Sequence, residues 1–406
     1  MESITTNQNE SAPAVKQRKL WIALLLGSLS AFGPLSLDMY LPALPKLADD
    51  LHTTVSLAQM SLTACMLGLS LGQLLAGPLS DMRGRRGPLL AGLMIYTVTS
   101  VLCVVTSNIW LFLALRFIQG LAGAAGIVIS RAMARDMYEG TELTKFSSML
   151  MLVNGAAPIL APIFGAQVLL FADWPVVFIV LGVCGLLMLI SVFAAMKETL
   201  PPERRSTGGI RGTFTTFGNL MKDRVFMGYA LTQGFIMAGM FAYISGSPFV
   251  LQGIYGVSPQ IYSVIFAINA LGIIAASQIT GRLAGKVEEA KLFPAGVTLA
   301  VIGGITLLGV LAAGGELYLV LPPLFLTIAS VGIVSTSGMT LALRNHGHNA
   351  GSASALLGLL SFIIGGIAAP LVGLGGEETA LPLGIVIAVC ELGAVLCYTG
   401  MVRRKR

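Results

Sequence analysis

Stretches of about 20 mostly apolar residues follow one another along almost the whole chain, the arrangement that a lipid bilayer demands. They cover roughly 20–44, 57–79, 88–107, 109–133, 146–170 and 175–196, then 225–252, 260–284, 292–313, 317–343, 350–374 and 380–401. In hydrocarbon every backbone N–H and C=O must be paired within its own segment, so runs of this length fold as helices. Charge is too sparse for the alternative. Only 11% of the 406 residues are charged, where a soluble domain carries about 25%. That excludes a soluble enzyme. The net charge of +6 is no nucleic-acid footprint, because it follows from where the cations sit.

An all-α integral membrane protein of twelve transmembrane helices is therefore expected, and the cations test the count. With the N-terminus inside, all of the 25 Lys and Arg residues except Lys46 and Arg116 fall on the inner side, as the positive-inside rule requires. Both termini are thus expected in the cytoplasm. The charged stretch 197–224, with Pro201, Pro202, Gly208 and Gly209, divides the spans into two sets of six. The expected organisation is a cytoplasmic tail (1–19), an N-terminal six-helix half (20–196), a cytoplasmic linker (197–224), a C-terminal half (225–402) and a basic tail (403–406). The run 20–44 is too long for a signal-peptide core and is kept as a mature helix. Gly77-Pro78-Leu79-Ser80-Asp81 ends the second span and Gly281-Arg282-Leu283-Ala284-Gly285 the eighth. This faint repeat suggests two pseudo-symmetric halves around one cavity.

Ionisable residues inside spans cost about 2.5–3.5 kcal/mol on insertion scales and need a reason. Three stand out: Asp38, Arg116 and Glu391. Asp38 and Arg116 fall at matching depths, about 10 Å below the outer face at 1.5 Å per residue, which makes a partnership plausible. The competing reading is a static buried ion pair, or Arg116 merely binding backbone carbonyls. Asp38 is the candidate for taking up and releasing a proton, since burial and a nearby cation push a carboxyl in opposite directions. Glu391 has no evident basic partner. Gly77 to Arg86 packs Asp81, Arg83, Arg85 and Arg86 between Gly77 and Gly84 and the next span. There Asp81 can accept from a helix N-terminus or from Arg131 or Arg135.

No metal site is expected. The five cysteines lie in apolar runs without a C-x-x-C pair, and His346 and His348 read as solvated loop residues without a third ligand. No H-E-x-x-H, G-x-S-x-G or G-x-x-x-x-G-K-[ST] is present, which argues against a membrane enzyme or an ATP-driven pump.

The Gly77–Arg86 loop resembles the signature loop of the major facilitator superfamily. Arg116-Phe117-Ile118-Gln119-Gly120 resembles its R-x-x-Q-G motif, and Asn154-Gly-Ala-Ala-Pro158-Ile-Leu-Ala-Pro162-Ile-Phe-Gly165 resembles the antiporter motif of drug exporters, with Ala161 and Ala166 in place of glycines. Leu37-Asp38-Met39-Tyr40-Leu41-Pro42 and Lys197-Glu-Thr-Leu-Pro-Pro-Glu-Arg-Arg205 resemble the bicyclomycin-resistance (Bcr/CflA) branch of drug:proton antiporters. The resemblance implies a two-half fold, export of small drugs, Asp38 and Arg116 as coupling residues, protons as the coupling ion without other cofactors, and a monomer in the bilayer. Some relatives carry a second acid where Ser30 stands here.

The cargo pocket is expected between the halves. Its candidate residues are Tyr40, Thr63, Gln119 and Asn154 in the first half, with Gln233, Phe235, Met237, Phe241, Tyr243, Tyr262, Phe266 and Asn269 in the second. The function expected is proton-coupled efflux of neutral or zwitterionic antibiotics, bicyclomycin- or chloramphenicol-like. The alternative is export of an amino acid, dipeptide or related metabolite.

Overall fold

The protein is seen here as a computed structural model describing residues 21–22, 24–205, 211–344, 346, 350–376 and 378–403. Within its helices, the side chains at 141, 144, 145, 147, 148, 151, 154, 211–215 and 350 lie outside the described set.

The first span is bent by 42° between α1 (Leu24–Ser30) and the stretch Phe32–Asp50. Pro34 explains the break: it lacks the N–H that would bond the Ser30 carbonyl, and its ring crowds that carbonyl. The helix stops again after α2 (Phe32–Asp38), passes through a 3₁₀ turn at Leu41–Ala43 around Pro42, and resumes as α3 (Leu44–Asp50). The first half continues with α4 (Val55–Arg83), α5 (Arg86–Val105), α6 (Ile109–Met137), α7 (Gly140–Val168) and α8 (Pro175–Ala195). The second half holds α10 (Arg224–Pro248), α11 (Pro259–Leu283), α12 (Glu289–Ala312), α13 (Leu317–Leu343), α14 (Ala350–Leu371) and α15 (Leu381–Cys397).

Among the described residues ten helices are long and apolar enough to cross a membrane, and the bent first pair makes an eleventh span. In α7 the apolar part is a shorter helix, Gly155–Val168, below that length. These are the twelve segments read from the sequence. One element was not foreseen: the linker carries α9 (Arg211–Lys222), which packs on α10 and α14 and buries Phe217 and Leu220 beside Phe226.

The packing repeats itself between the halves. Spans two and four pair as α4 on α6, and their counterparts as α11 on α13. In the same way α5 on α8 is matched by α12 on α15, and α2 on α7 by α10 on α14. Across the seam α4 meets α14 and α7 meets α11, which is one contact exchanged by a pseudo-twofold axis.

Candidate functional site: the cavity between the halves

Small residues set the close approaches. A Cβ on Gly68 or Gly72 of α4 would strike the backbone of α6 at Phe117 or Leu121, and one on Gly120 would strike that of Cys65. Gly165 of α7 receives the Met39 carbonyl oxygen where a Cβ would stand. The antiporter-like motif therefore supplies the socket into which the broken first span fits.

Arg116 fills the other side of that break. Its guanidinium donates to the Ser36 carbonyl (2.7 Å) and to Gln119, and lies 4.4 Å over the Tyr40 ring and 5.4 Å from that of Phe178. The Ser36 carbonyl belongs to the last turn of α2, whose acceptors a helix cannot pair by itself. Gln119 donates onward to Ser100 at 2.7 Å. The matching depth of Asp38 and Arg116 is confirmed by the Ser36 contact, but the two form no ion pair. The partnership expected from sequence is corrected: Arg116 binds a carbonyl, an amide and two rings, while the Asp38 carboxyl turns into a cavity.

That cavity has a volume of about 410 Å³. Leu37, Leu62, Met66, Leu69 and Ile127 line it from the first half, and Met240, Phe241, Tyr243, Ile244, Phe266, Ile328 and Phe362 from the second. Its polar groups are few: Ser30, Asp38, Gln73, Arg131 and Asn269, with Asn269 donating to the Tyr243 hydroxyl at 2.9 Å. A second cavity of about 270 Å³ lies toward the linker end and shares Gln73, Arg131 and Phe362 with the first.

At the opposite end the halves are sealed. Ser56 donates to the Pro370 carbonyl (2.9 Å), Gln59 to Ser245 (3.3 Å), Thr63 to Gly366 (3.2 Å), Gln260 to Ala166 (3.0 Å) and Ser263 to Pro162 (2.9 Å). Between described residues, all the side-chain hydrogen bonds that cross the seam belong to this far-end set. A single buried cluster runs through it, including Tyr40, Leu44, Leu62, Tyr243, Phe249 and Tyr262.

Of the pocket residues expected from sequence, Phe241, Tyr243, Phe266 and Asn269 line the cavity. Tyr40 (bonded to Ser61), Thr63 and Tyr262 (bonded to Ser247) belong to the far-end seal instead. Gln119 supports Arg116 rather than cargo. Gln233 and Met237 share the face of Met240 but lie two and one turns nearer the linker, against Gly338 and Ser335 of α13. Phe235 points the other way, onto Gly393 of α15. Asn154 lies outside the described residues. Sequence reasoning missed Gln73, although a polar residue inside a span was a signal. It also missed Arg131, which was assigned to the loop.

The loop itself is wired differently from expectation. Asp81 pairs with Arg85 rather than with Arg131 or Arg135, and Arg85 also donates to Asp136 (2.9 Å) and Ser80 (2.9 Å). Arg86 donates to the Phe193 carbonyl (2.7 Å) and stacks on its ring. Gly84 has φ +92°, a conformation that favours glycine. The N-terminus of α5 is capped by the linker residue Glu198, which accepts from the N–H of Arg85 (2.7 Å) and of Arg86 (3.1 Å). Partial burial pushes the Glu198 carboxyl up, but N–H donors from Leu200, Arg85, Arg86 and Thr199 outweigh this and hold it below its ordinary range. A Cβ on Gly77 would meet only Val128, and Arg83 lines a groove between α4 and α5. Arg135 is exposed. His346, read as solvated, bonds Asp223 at 3.0 Å; His348 lies outside the described residues. Among the described residues no cluster of His, Cys, Asp and Glu could hold a metal.

Twelve spans in two like halves, closed over a central cavity at one end, define a membrane transporter rather than an enzyme. The sequence profile of the Major Facilitator Superfamily matches residues 21–370, and the chain belongs to that superfamily. It is 46% identical over 395 residues to the MFS-type transporter YdgK of Bacillus subtilis (strain 168), covering 97% of this chain and 98% of that one. It is 32% identical to the bicyclomycin resistance protein homolog of Haemophilus influenzae, covering 94% and 96% of the two chains. It is 30% identical to the chloramphenicol resistance protein of Pseudomonas aeruginosa, covering 94% and 90%. The fold matches a bacterial homolog of the lysosomal transporter Spinster in an inward-facing conformation, at TM-score 0.74 and 15% identity over 96% of each chain. The multi-pass architecture and these bacterial relatives agree with residence in the bacterial inner membrane.

Proposed function

We propose that this chain exports small neutral or zwitterionic antibiotics in exchange for protons, with Asp38 as the coupling carboxyl. One observation carries the reading: Asp38 is the only carboxyl among the described residues lining the central cavity, and no cation pairs with it there. A cavity of about 410 Å³ with an apolar wall and scattered polar anchors suits a drug-sized amphipath, since such sites run to roughly 300–1,000 Å³. The resistance proteins among the relatives point to the same cargo class. With the basic loops in the cytoplasm, the far-end seal closes the cavity to the outside and the open direction faces in. Cargo then enters the site from the cytoplasm, and a proton on Asp38 leaves or arrives as the seal changes ends. One charge moving inward releases about 2.3 kcal/mol per 100 mV.

Arg131 in the cavity wall favours a second reading, in which a carboxylate-bearing cargo such as an amino acid or dipeptide is exported. The test is cargo-induced proton release from the purified protein across a panel of both classes, with Asp38→Asn as control. The first reading expects release with chloramphenicol-like drugs and none from the variant. Release by amino acids or dipeptides alone would select the second. Release that survives in the variant removes Asp38 from the mechanism.

A further inference from the structure

Glu391 is 1% exposed, and neither of its carboxyl oxygens has a hydrogen-bond partner. It lies ten residues into α15, about 15 Å from the helix start at 1.5 Å per residue, so it sits at mid-membrane depth. Its neighbours on the helix, Val389 and Leu392, are 60% and 47% exposed toward lipid, while its own side chain turns inward between three helices.

Two glycines make its chamber. A Cβ on Gly239 of α10 would lie 2.9 Å from Oε1, and one on Gly304 of α12 would lie 3.1 Å from Cγ. No charge from the surrounding elements reaches it. On α10, Arg224 bonds the Gly400 carbonyl, Tyr229 packs on Phe293, and Tyr243 bonds Asn269. On α12, Glu289 and Lys291 stand in the first turn. Between Ala350 and Leu371, α14 has no titratable residue. On its own helix the titratable neighbours are Cys390 and, further on, Cys397 and Tyr398.

An ionised carboxylate here would be an uncompensated buried charge, a penalty of several kcal/mol. The protonated acid still leaves a donor and acceptors unpaired, at about 1–3 kcal/mol. A residue this costly needs a reason, and a partner gained in another conformation would supply one. The helix that roofs it also walls the cavity. Next to Gly239, α10 presents Met240, Phe241, Tyr243 and Ile244 to the cavity. Further along, its Ser245 carbonyl accepts from Gln59 across the seam. A shift of α10 against α15 as that seam opens is the movement that a proton-releasing role for Glu391 requires.

We propose that Glu391 is a second proton carrier, placed in the C-terminal half behind the cavity wall; this deepens the proton-exchange reading and rests on it. In the sealed conformation the carboxyl holds its proton. When α10 moves off α15 and water enters, the O–H bond breaks, one water takes up the proton and carries it off, and other entering waters hydrogen-bond the carboxylate left behind. The return movement expels the water once the carboxyl has been protonated again.

The test is infrared pH titration of buried carboxyl groups in purified wild type, Asp38→Asn, Glu391→Gln and the charge-retaining Glu391→Asp. Two protonated-carboxyl C=O bands that bleach across the physiological pH range are expected in the wild type. Asp38→Asn removes one, Glu391→Gln the other, and Glu391→Asp displaces the second. If Asp38→Asn alone already leaves no titrating band, Glu391 is a permanently neutral structural acid and this inference is overturned, whether or not the glutamine variant folds. If the band lost in Asp38→Asn is the one that never titrates, the coupling role of Asp38 fails instead.

Discussion

Replacing Gly373 by alanine should weaken the far-end seal and move the protein toward its other conformation. Gly373 follows α14, and a Cβ there would lie 2.6 Å from both the backbone N and Cα of Ser56 and 2.7 Å from the Gln59 side-chain oxygen. Backbone cannot yield as a side chain can, so the halves must part locally. The bonds at risk are Ser56 to Pro370 and Gln59 to Ser245. At about 0.5–1.5 kcal/mol net for each bond, the seal loses about 1–3 kcal/mol. That is a shift of roughly 5–150-fold in the equilibrium between conformations. The assay is a pulsed electron–electron distance measurement between spin labels at Lys46 and Glu378, exposed positions on the two halves at this end, in a background without the native cysteines. A long-distance population should grow in Gly373→Ala. It should not grow in Gly253→Ala, where an added Cβ has nothing within 4 Å. An unchanged distribution in a folded Gly373→Ala protein would show that this contact does not hold the seal.

Arg116→Lys keeps the charge but cannot span both Ser36 and Gln119 with a planar fork. Losing one charged hydrogen bond should cost about 1.5–3 kcal/mol, seen as a lower unfolding midpoint in detergent; an unchanged midpoint would refute the account of Arg116 as the cap of α2. Asp223→Ala removes the side chain that accepts from the N–H of Val225 and Phe226 at the start of α10. It should destabilise by about 0.5–2 kcal/mol, and chemical unfolding will show whether it does. The depressed Glu198 carboxyl stabilises its loop fully above the ordinary carboxylate range and loses that contribution as pH falls through its lowered value. Limited proteolysis of the linker should therefore accelerate on acidification in the wild type. In Glu198→Gln it should already be fast at neutral pH; equal rates in the two proteins at neutral pH would refute the clamp.

The spans were legible because hydrocarbon leaves the backbone one solution, and apolar run length reports it directly. Depth was legible for the same reason: counting residues placed Arg116 level with the end of α2. Rotation about the helix axis was not, since it depends on neighbouring side chains. Arg116 therefore met the Ser36 carbonyl and two rings rather than Asp38, and Phe235 fell away from the cavity that Phe241 lines, while Met237 shares the face of Met240 and misses the cavity by one turn of depth. Long-range caps were hidden altogether. Nothing in the loop announces that Glu198, 113 positions beyond Arg85, closes the start of α5. Amphipathic α9 was overlooked because its apolar residues, Phe214, Phe217, Leu220 and Met221, are too few for a span and stand among Thr, Gly and Asn. Glu391 was visible as an anomaly, but its glycine chamber is built from three helices distant in sequence.

The clamp at Glu198 also bears on how far the two halves can travel. Glu198 fastens the strand leaving α8 to the first half, and the Arg205 guanidinium reaches the Gly84 turn there, 2.9 Å from where a Cβ would stand. On the far side of the tether, α9 rests on α10 and α14. Arg205 and Arg211 stand six residue steps apart in sequence, a contour length of about 20 Å. Two anchors that close in sequence bound how far the halves can separate while both hold, and inserting residues between them is a way to ask whether bulky cargo is turned away by the cavity or by that bound.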